Sequence, residues 1–122
     1  MKKNCEIFNE QDLLVFTEGD RFLSSEVIRM GVQDLPDLFE KARLFRKNNQ
    51  LNHVIRTLHK IKGTAGSLGA VEVRVISTEL ELTMKNSRSF DIFDREEPLL
   101  RNAIDSYNGH DDVTRYLREQ NV

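Results

Sequence analysis

Between Gln50 and Leu68 the chain has a helical period, and one face of that helix gathers groups suited to carrying an anion. Residues on a helix are spaced about 100° apart, at ~3.6 per turn, which puts Asn52, Gly63 and Gly66 within roughly 40° of His59. Arg56 and Lys62 lie about 60° to either side, and Ile55 sits on the shoulder toward the apolar stripe. That stripe is Leu51, Val54, Leu58, Ile61 and Ala65, centred roughly 120° away, so His59 is expected to face solvent. An imidazole is partly neutral at pH 7 and offers a nitrogen lone pair, which suits a transient phosphoryl carrier. Lys62, at i+3, can neutralise the result, because a phosphoryl group brings about −1.5 to −2 charges. Helical side chains lean toward the N-terminus, so Gly63 at i+4 and Gly66 at i+7 leave the surface over His59 open. Each glycine inside a helix costs about 1 kcal/mol relative to alanine. Gly63, Gly66 and Gly69 therefore imply close approach of another surface or of a phosphoryl group, with Gly69 also placed to end the helix. This reading requires an exposed ring that no neighbouring carboxylate ties up. His53 points roughly 120° from His59, and His110 lies in a Gly-containing turn; both read as ordinary surface residues.

The elements that must position this face are helical throughout. A short segment over 9–17 ends at Gly19, and Asp20 is placed to cap the next helix. That second helix covers about 21–47 and puts Leu35, Leu38, Phe39, Ala42 and Phe45 on one face. Pro36 interrupts it, either as a kink or as the first turn of a new helix capped by Asp34. The third helix runs about 50–68 and the fourth about 70–85. A polar loop follows at 86–89. Asp94 and Glu97 resemble a capping box, with Pro98 in the first turn of a fifth helix that carries Leu99, Leu100, Ala103, Ile104 and Tyr107. Asn108 and Gly109 end it, and Val113, Tyr116 and Leu117 mark a short tail helix. The expected fold is all-α: an antiparallel four-helix bundle (21–108) with an N-terminal accessory helix (1–20) and a short C-terminal helical tail (109–122), in one domain.

Composition narrows the function classes. The 122 residues suffice for one domain, with 39% hydrophobic and 31% charged residues, which is a globular balance. Eighteen Lys and Arg against twenty Asp and Glu give a net charge of −2, which argues against a dedicated nucleic-acid binder. The longest apolar run is Leu13–Phe16, far short of the ~20 residues of a membrane span. Lys2 and Lys3 have the charge of a signal peptide, but Asn4, Glu6, Asn9 and Glu10 replace its apolar stretch. The single cysteine, Cys5, excludes an internal disulfide and fits a reducing cytoplasm. Three histidines and one cysteine, scattered, give no metal site. The charges are segregated, however. Lys41, Arg43, Arg46, Lys47, Arg56, Lys60 and Lys62 occur with no acid between them, which implies a positive zone around His59 and an acidic partner.

The stretch His59-Lys60-Ile61-Lys62-Gly63-Thr64-Ala65-Gly66-Ser67-Leu68-Gly69-Ala70 resembles the signature of histidine-containing phosphotransfer (HPt) domains, His-x-x-Lys-Gly followed by small residues. Leu80-Glu81 is similar to the Leu-Glu pair of that family's next helix, and Leu35-Pro36-Asp37-Leu38-Phe39 resembles its preceding one. The likeness spans roughly Phe22 to Met84; Lys60 adds a charge where the family is variable. It implies a four-helix bundle in a two-component phosphorelay, accepting a phosphoryl group from a receiver-domain aspartate and passing it to another receiver. It implies His59 as phosphoacceptor, Lys62 as supporting cation and Gly63 as the small residue giving access. The docking surface would comprise Asn52, Ile55, Arg56, Lys60, Gly66, Phe16 and Phe22. No cofactor is implied: Mg²⁺ belongs to the receiver partner, including receivers of hybrid sensor kinases. The chain has no Walker-type loop, so no ATP-dependent kinase activity of its own is expected. A cytoplasmic monomer without nucleic-acid or membrane contacts completes the expectation. The competing reading is a non-catalytic helical module that docks an acidic protein, in which His59 is dispensable. Nucleic-acid binding by the Lys41–Lys62 run is disfavoured, since Phe45 is its only aromatic.

Overall fold

The computed structural model describes residues 6–119; the reading of Cys5 lies outside them. Among the described residues there are six helices and no strand: α1 (Glu10–Thr17), α2 (Arg21–Lys47), α3 (Leu51–Leu68), α4 (Val71–Ser87), α5 (Asp91–Asn108) and α6 (Asp111–Glu119). None of these helices is long and apolar enough to cross a membrane.

Local chemistry sets the helix ends. Asn9 and Asp20 accept hydrogen bonds from the amides of Asp12 and Leu23, capping α1 and α2. Gly69 closes α3 at a φ of 69°, the left-handed conformation a helix terminator adopts. α2 packs on α3, α3 on α4 and α4 on α5, and α5 returns to α2, so the helices enclose one core. Leu35, Phe39, Leu58, Ile61, Ile76, Leu80, Phe93, Leu100 and Tyr107 are among its buried members.

Two expectations are corrected. Pro36 neither starts a helix nor splits one, because α2 runs unbroken from Arg21 to Lys47. A proline in a helix leaves the carbonyl four residues earlier without its amide partner. Here that carbonyl, on Val32, accepts instead from the Asn108 side-chain amide at the end of α5, at 3.0 Å. The tertiary bond replaces the missing helical one.

The start of α5 also differs. It begins at Asp91, so Pro98 lies well inside the helix and Asp94 is not its cap. Ser89 accepts the Asp91 amide at 3.0 Å, and Phe93 extends the buried face about two turns before Leu100, while Leu99, expected on that face, is exposed. Asp94 is used across the bundle. Its two carboxylate oxygens take Nε and Nη2 of Arg46 at 2.8 and 2.9 Å, a bidentate pair that holds α5 to the end of α2. The pair lowers the Asp94 pKa and raises that of Arg46 through their mutual hydrogen bonds.

Replacing Asn108 tests the proline argument. Asn108→Ala should leave the Val32 carbonyl unpaired in a part-buried site and destabilise the fold by about 1–3 kcal/mol, as read by urea unfolding. An unchanged midpoint would mean that water takes over the carbonyl.

Candidate functional site

The His59 side chain is 65% exposed, on the surface of α3 where α4 runs alongside. Its Nδ1 lies 2.9 Å from Oε2 of Glu81 on α4. This corrects the requirement that no carboxylate engage the ring. The contact takes one of the two ring nitrogens; among the described residues no hydrogen bond to Nε2 is found. The carboxylate decides the tautomer. Glu81 is held ionised, so it can only accept, and the hydrogen must sit on His59 Nδ1. In the neutral ring Nε2 then carries the lone pair. The ring is oriented by its bond to α4 without being removed from solvent.

Glu81 is the residue around which the site is arranged. Its side chain is 4% exposed, yet it makes three charged or polar contacts. Oε1 takes Lys62 Nζ at 2.8 Å, and Oε2 takes both His59 Nδ1 at 2.9 Å and Lys85 Nζ at 3.0 Å. Burial alone would push its carboxyl pKa up. The hydrogen bonds from Lys62, Lys85 and His59, with the nearby Lys62 charge, outweigh that and hold it at about 2. A buried carboxylate needs such partners, because leaving it unpaired is strongly unfavourable.

Sequence reasoning noted Glu81 only as half of a Leu-Glu pair and did not single out Lys85. A signal was present. Val73, Ile76, Ser77, Leu80, Glu81 and Met84 follow one helical stripe and all are buried, so a carboxylate interrupts the core face of α4. A charge at such a position demands a cation or hydrogen-bond donor opposite, and Lys62 of α3 meets that demand.

The glycines open the surface as the spacing suggests. A Cβ built on Gly63 would meet nothing within 4 Å, and one on Gly66 only the Arg74 side chain at 3.7 Å. Two shallow grooves flank the site. One, about 350 Å³, is lined by Ile55, Arg56, His59, Lys60, Glu81 and Lys85. The other, about 580 Å³, lies between α1 and α3, with Val15 and Phe16 facing Lys62, Gly63 and Gly66. Phe16 and Phe22 are exposed, at 57% and 73%. Arg56 and Lys60 are also exposed, while Asn52 accepts a hydrogen bond from Arg88 at 2.7 Å.

Three surface assignments change. Ile55 is 6% exposed and belongs to the core, so it is not an open docking contact. Its shoulder position is covered because the helix shoulder on that side is where α4 approaches. The basic run does not gather around His59 as one zone. Arg43 and Arg46 lie on α2 and pair with Glu40, Glu97 and Asp94, whereas Lys85, from another helix, joins Arg56 and Lys60 beside His59. His110 is part-buried, packs against Phe8 and accepts the Asp112 amide at 3.1 Å, so it is a local structural residue. His53 is exposed and stacks on Phe45 with ring centroids 4.9 Å apart. Among the described residues, no group of three or more His, Cys, Asp and Glu side chains is placed to hold a metal ion.

A family model for the Hpt domain matches residues 26–109. The chain belongs to the Hpt domain family. The match covers α3, α4 and α5 in full and α2 from its second turn onward, and leaves α1 and α6 outside. Membership places the chain in phosphorelay histidine phosphotransfer within two-component signalling, where Hpt domains interact with receiver domains. Searches among curated proteins and among solved structures returned no significant match.

The site has a defined pH signature. The Glu81 pKa is depressed in the folded state, so its contribution to stability is full above the ordinary value of 4.5 and fades as pH falls toward about 2. The unfolding free-energy difference between wild type and Glu81→Gln should therefore be constant from pH 7 to about 5 and shrink below that. A difference independent of pH down to 3 would show that Glu81 is not held ionised.

Proposed function

We propose that His59 is the phosphoacceptor of an Hpt relay, taking a phosphoryl group from a receiver-domain aspartate and yielding it to a second receiver. The observation that carries this reading is the exposed imidazole whose Nδ1 is engaged by Glu81, so that Nε2 presents a lone pair to solvent. Nε2 attacks phosphorus of the aspartyl phosphate in line. The N–P bond forms as the bond from phosphorus to the aspartate oxygen breaks, and the aspartate leaves as a carboxylate with the electron pair. The ring keeps its Nδ1 proton and gains positive charge, which the Glu81 carboxylate beside it offsets. The three phosphoryl oxygens are neutralised by Lys62, which exchanges its bond to Glu81 for one to the new anion. Positioning and charge neutralisation are what phosphoryl transfer mainly requires of a protein.

Gly63 and Gly66 give the partner access, and the docking surface consists of Phe16, Phe22, Asn52, Arg56 and Lys60 around His59. The frame is an antiparallel four-helix bundle of α2 to α5, with α1 as accessory helix and α6 as tail in a single domain over 1–122. Mg²⁺ is supplied by the receiver. The protein acts as a cytoplasmic monomer with receivers, including those of hybrid sensor kinases, as partners.

Incubation with a phosphorylated receiver should place acid-labile label on the wild type and none on His59→Gln. Label retained by His59→Gln would overturn the assignment and favour the non-catalytic docking module. Lys62→Ala should be less stable, since Glu81 keeps only Lys85 and His59, and in its folded form should accept the group more slowly or hold it for a shorter time. An unchanged rate and lifetime would remove Lys62 from the site.

A further inference from the structure

The two helices outside the family match are joined by a side-chain hydrogen bond from Tyr116 of α6 to Glu10 of α1, and α1 borders the His59 surface. α1 has eight residues, of which only Leu13 and Thr17 are buried. A helix that short is marginal by itself, so its place must come from tertiary contacts. Those contacts include several at its N-terminal end. The Asn9 amide donates to the Gly69 carbonyl at 2.8 Å. A Cβ on Gly69 would come within 2.2 Å of the Asn9 carbonyl oxygen, so a glycine there admits this close approach. Phe8 sets its ring edge-on to Tyr107 and Tyr116, at centroid distances of 5.9 and 6.4 Å.

α1 also packs on α2 and α3, with Leu13 in the core and Thr17 Oγ1 2.7 Å from Ser24 Oγ, and α6 adds a side-chain contact at its first turn. Tyr116 is buried, and its hydroxyl donates to the Glu10 carboxylate in the first turn of α1. Arg21, just after α1, lies over the Tyr116 ring at 5.5 Å and reaches Glu119 at 3.8 Å. α6 is seated on α2 and α5, so it is fixed independently of α1. The contact adds a second anchor at the first turn of α1, opposite the end that Thr17 ties to α2. Downstream of Glu10 on the same short helix, Val15 and Phe16 form the wall of the groove opposite Lys62, Gly63 and Gly66.

We propose that α6 is a clasp that sets the position of α1, with Tyr116 as the positioning residue, so that the Val15–Phe16 ridge stands where an incoming receiver meets it. This rests on the relay reading and adds to it a residue far along the chain that controls docking without touching the phosphoryl group.

The test compares Tyr116→Phe, Tyr116→Ala, Glu10→Ala and Glu10→Gln in the full chain. Amide hydrogen exchange across 10–17 reports the clasp. Transfer from a phosphorylated receiver, measured over a range of receiver concentrations, reports docking. Removing the hydroxyl in Tyr116→Phe should speed exchange in α1 about tenfold, the size that loss of one hydrogen bond to a charged group supports, while α3 amides stay unchanged. The half-saturating receiver concentration should rise several-fold at an unchanged limiting rate. Glu10→Gln, which keeps an acceptor, should behave closer to wild type than Glu10→Ala. Glu10→Ala should add nothing in the Tyr116→Phe background. Should Tyr116→Ala fail to fold, Tyr116→Phe, which retains the ring, carries the result. Unchanged α1 exchange in Tyr116→Phe overturns the clasp, as does faster exchange with an unchanged half-saturating concentration. Failure of the relay reading is seen separately, in wild type that takes no label from any receiver, and it removes the docking role of the clasp as well.

Discussion

A carboxylate buried between two helices is the constraint on which this site depends. Glu81 has left water, which is unfavourable for any ion, and its stability there requires partners that satisfy both oxygens. Lys62, Lys85 and His59 do so. The need is structural, but its consequence is chemical. A carboxylate held ionised can accept only, so the imidazole must donate from Nδ1, and in the neutral ring the opposite nitrogen is left with its lone pair. Packing of α4 against α3 thus decides which nitrogen of His59 is engaged by a carboxylate. The same oxygens hold Lys62 close to where an anion on Nε2 would need a counter-charge. A carboxylate contact that would disable a ring if it engaged both nitrogens prepares the ring when it engages one.

The rest of the fold keeps α3 and α4 in that relation with few exceptional contacts. The bidentate Arg46–Asp94 pair joins the end of α2 to the start of α5, and the Asn108–Val32 bond repairs the break that Pro36 makes in α2. Tyr107 donates to the Leu68 carbonyl at 3.0 Å, tying α5 to the last turn of α3. Each replaces a backbone or charge requirement that a helix by itself leaves open. The His59 face makes few demands of its own. Glycines on α3 provide room, and exposed Arg56 and Lys60 supply positive charge beside the ring.

The spacing of residues was enough to establish much of this. Helical periodicity places His59 off the apolar stripe and Gly63 and Gly66 beneath it, because those angles follow from one local geometry. The motif from His59 to Ala70 pointed to the family that the match over 26–109 shows. Helix boundaries were legible wherever a capping side chain acts on its own helix, as with Asn9 and Asp20. They failed where a residue was used across the bundle. Asp94 looked like a cap and is a partner of Arg46; Pro98 looked like a helix start and lies inside a helix, as does Pro36, for which a new start was one of two readings.

What only the tertiary structure decided is which helix stands beside which. The basic run from Lys41 to Lys62 is contiguous in sequence, yet its first half is drawn to the acids of α5 while Lys85, far along the chain, joins the histidine. Ile55 changed from surface to core for the same reason, since burial on a helix shoulder depends on the neighbour that covers it. Glu81 and Tyr116 acquire their roles through contacts 22 and 106 residues distant. A periodic pattern fixes directions about one helix axis and carries no information about the azimuth of the next. The amino-acid sequence therefore determined that His59 faces outward with glycines and cations around it. The packing of α4 on α3 determined which of its nitrogens is available.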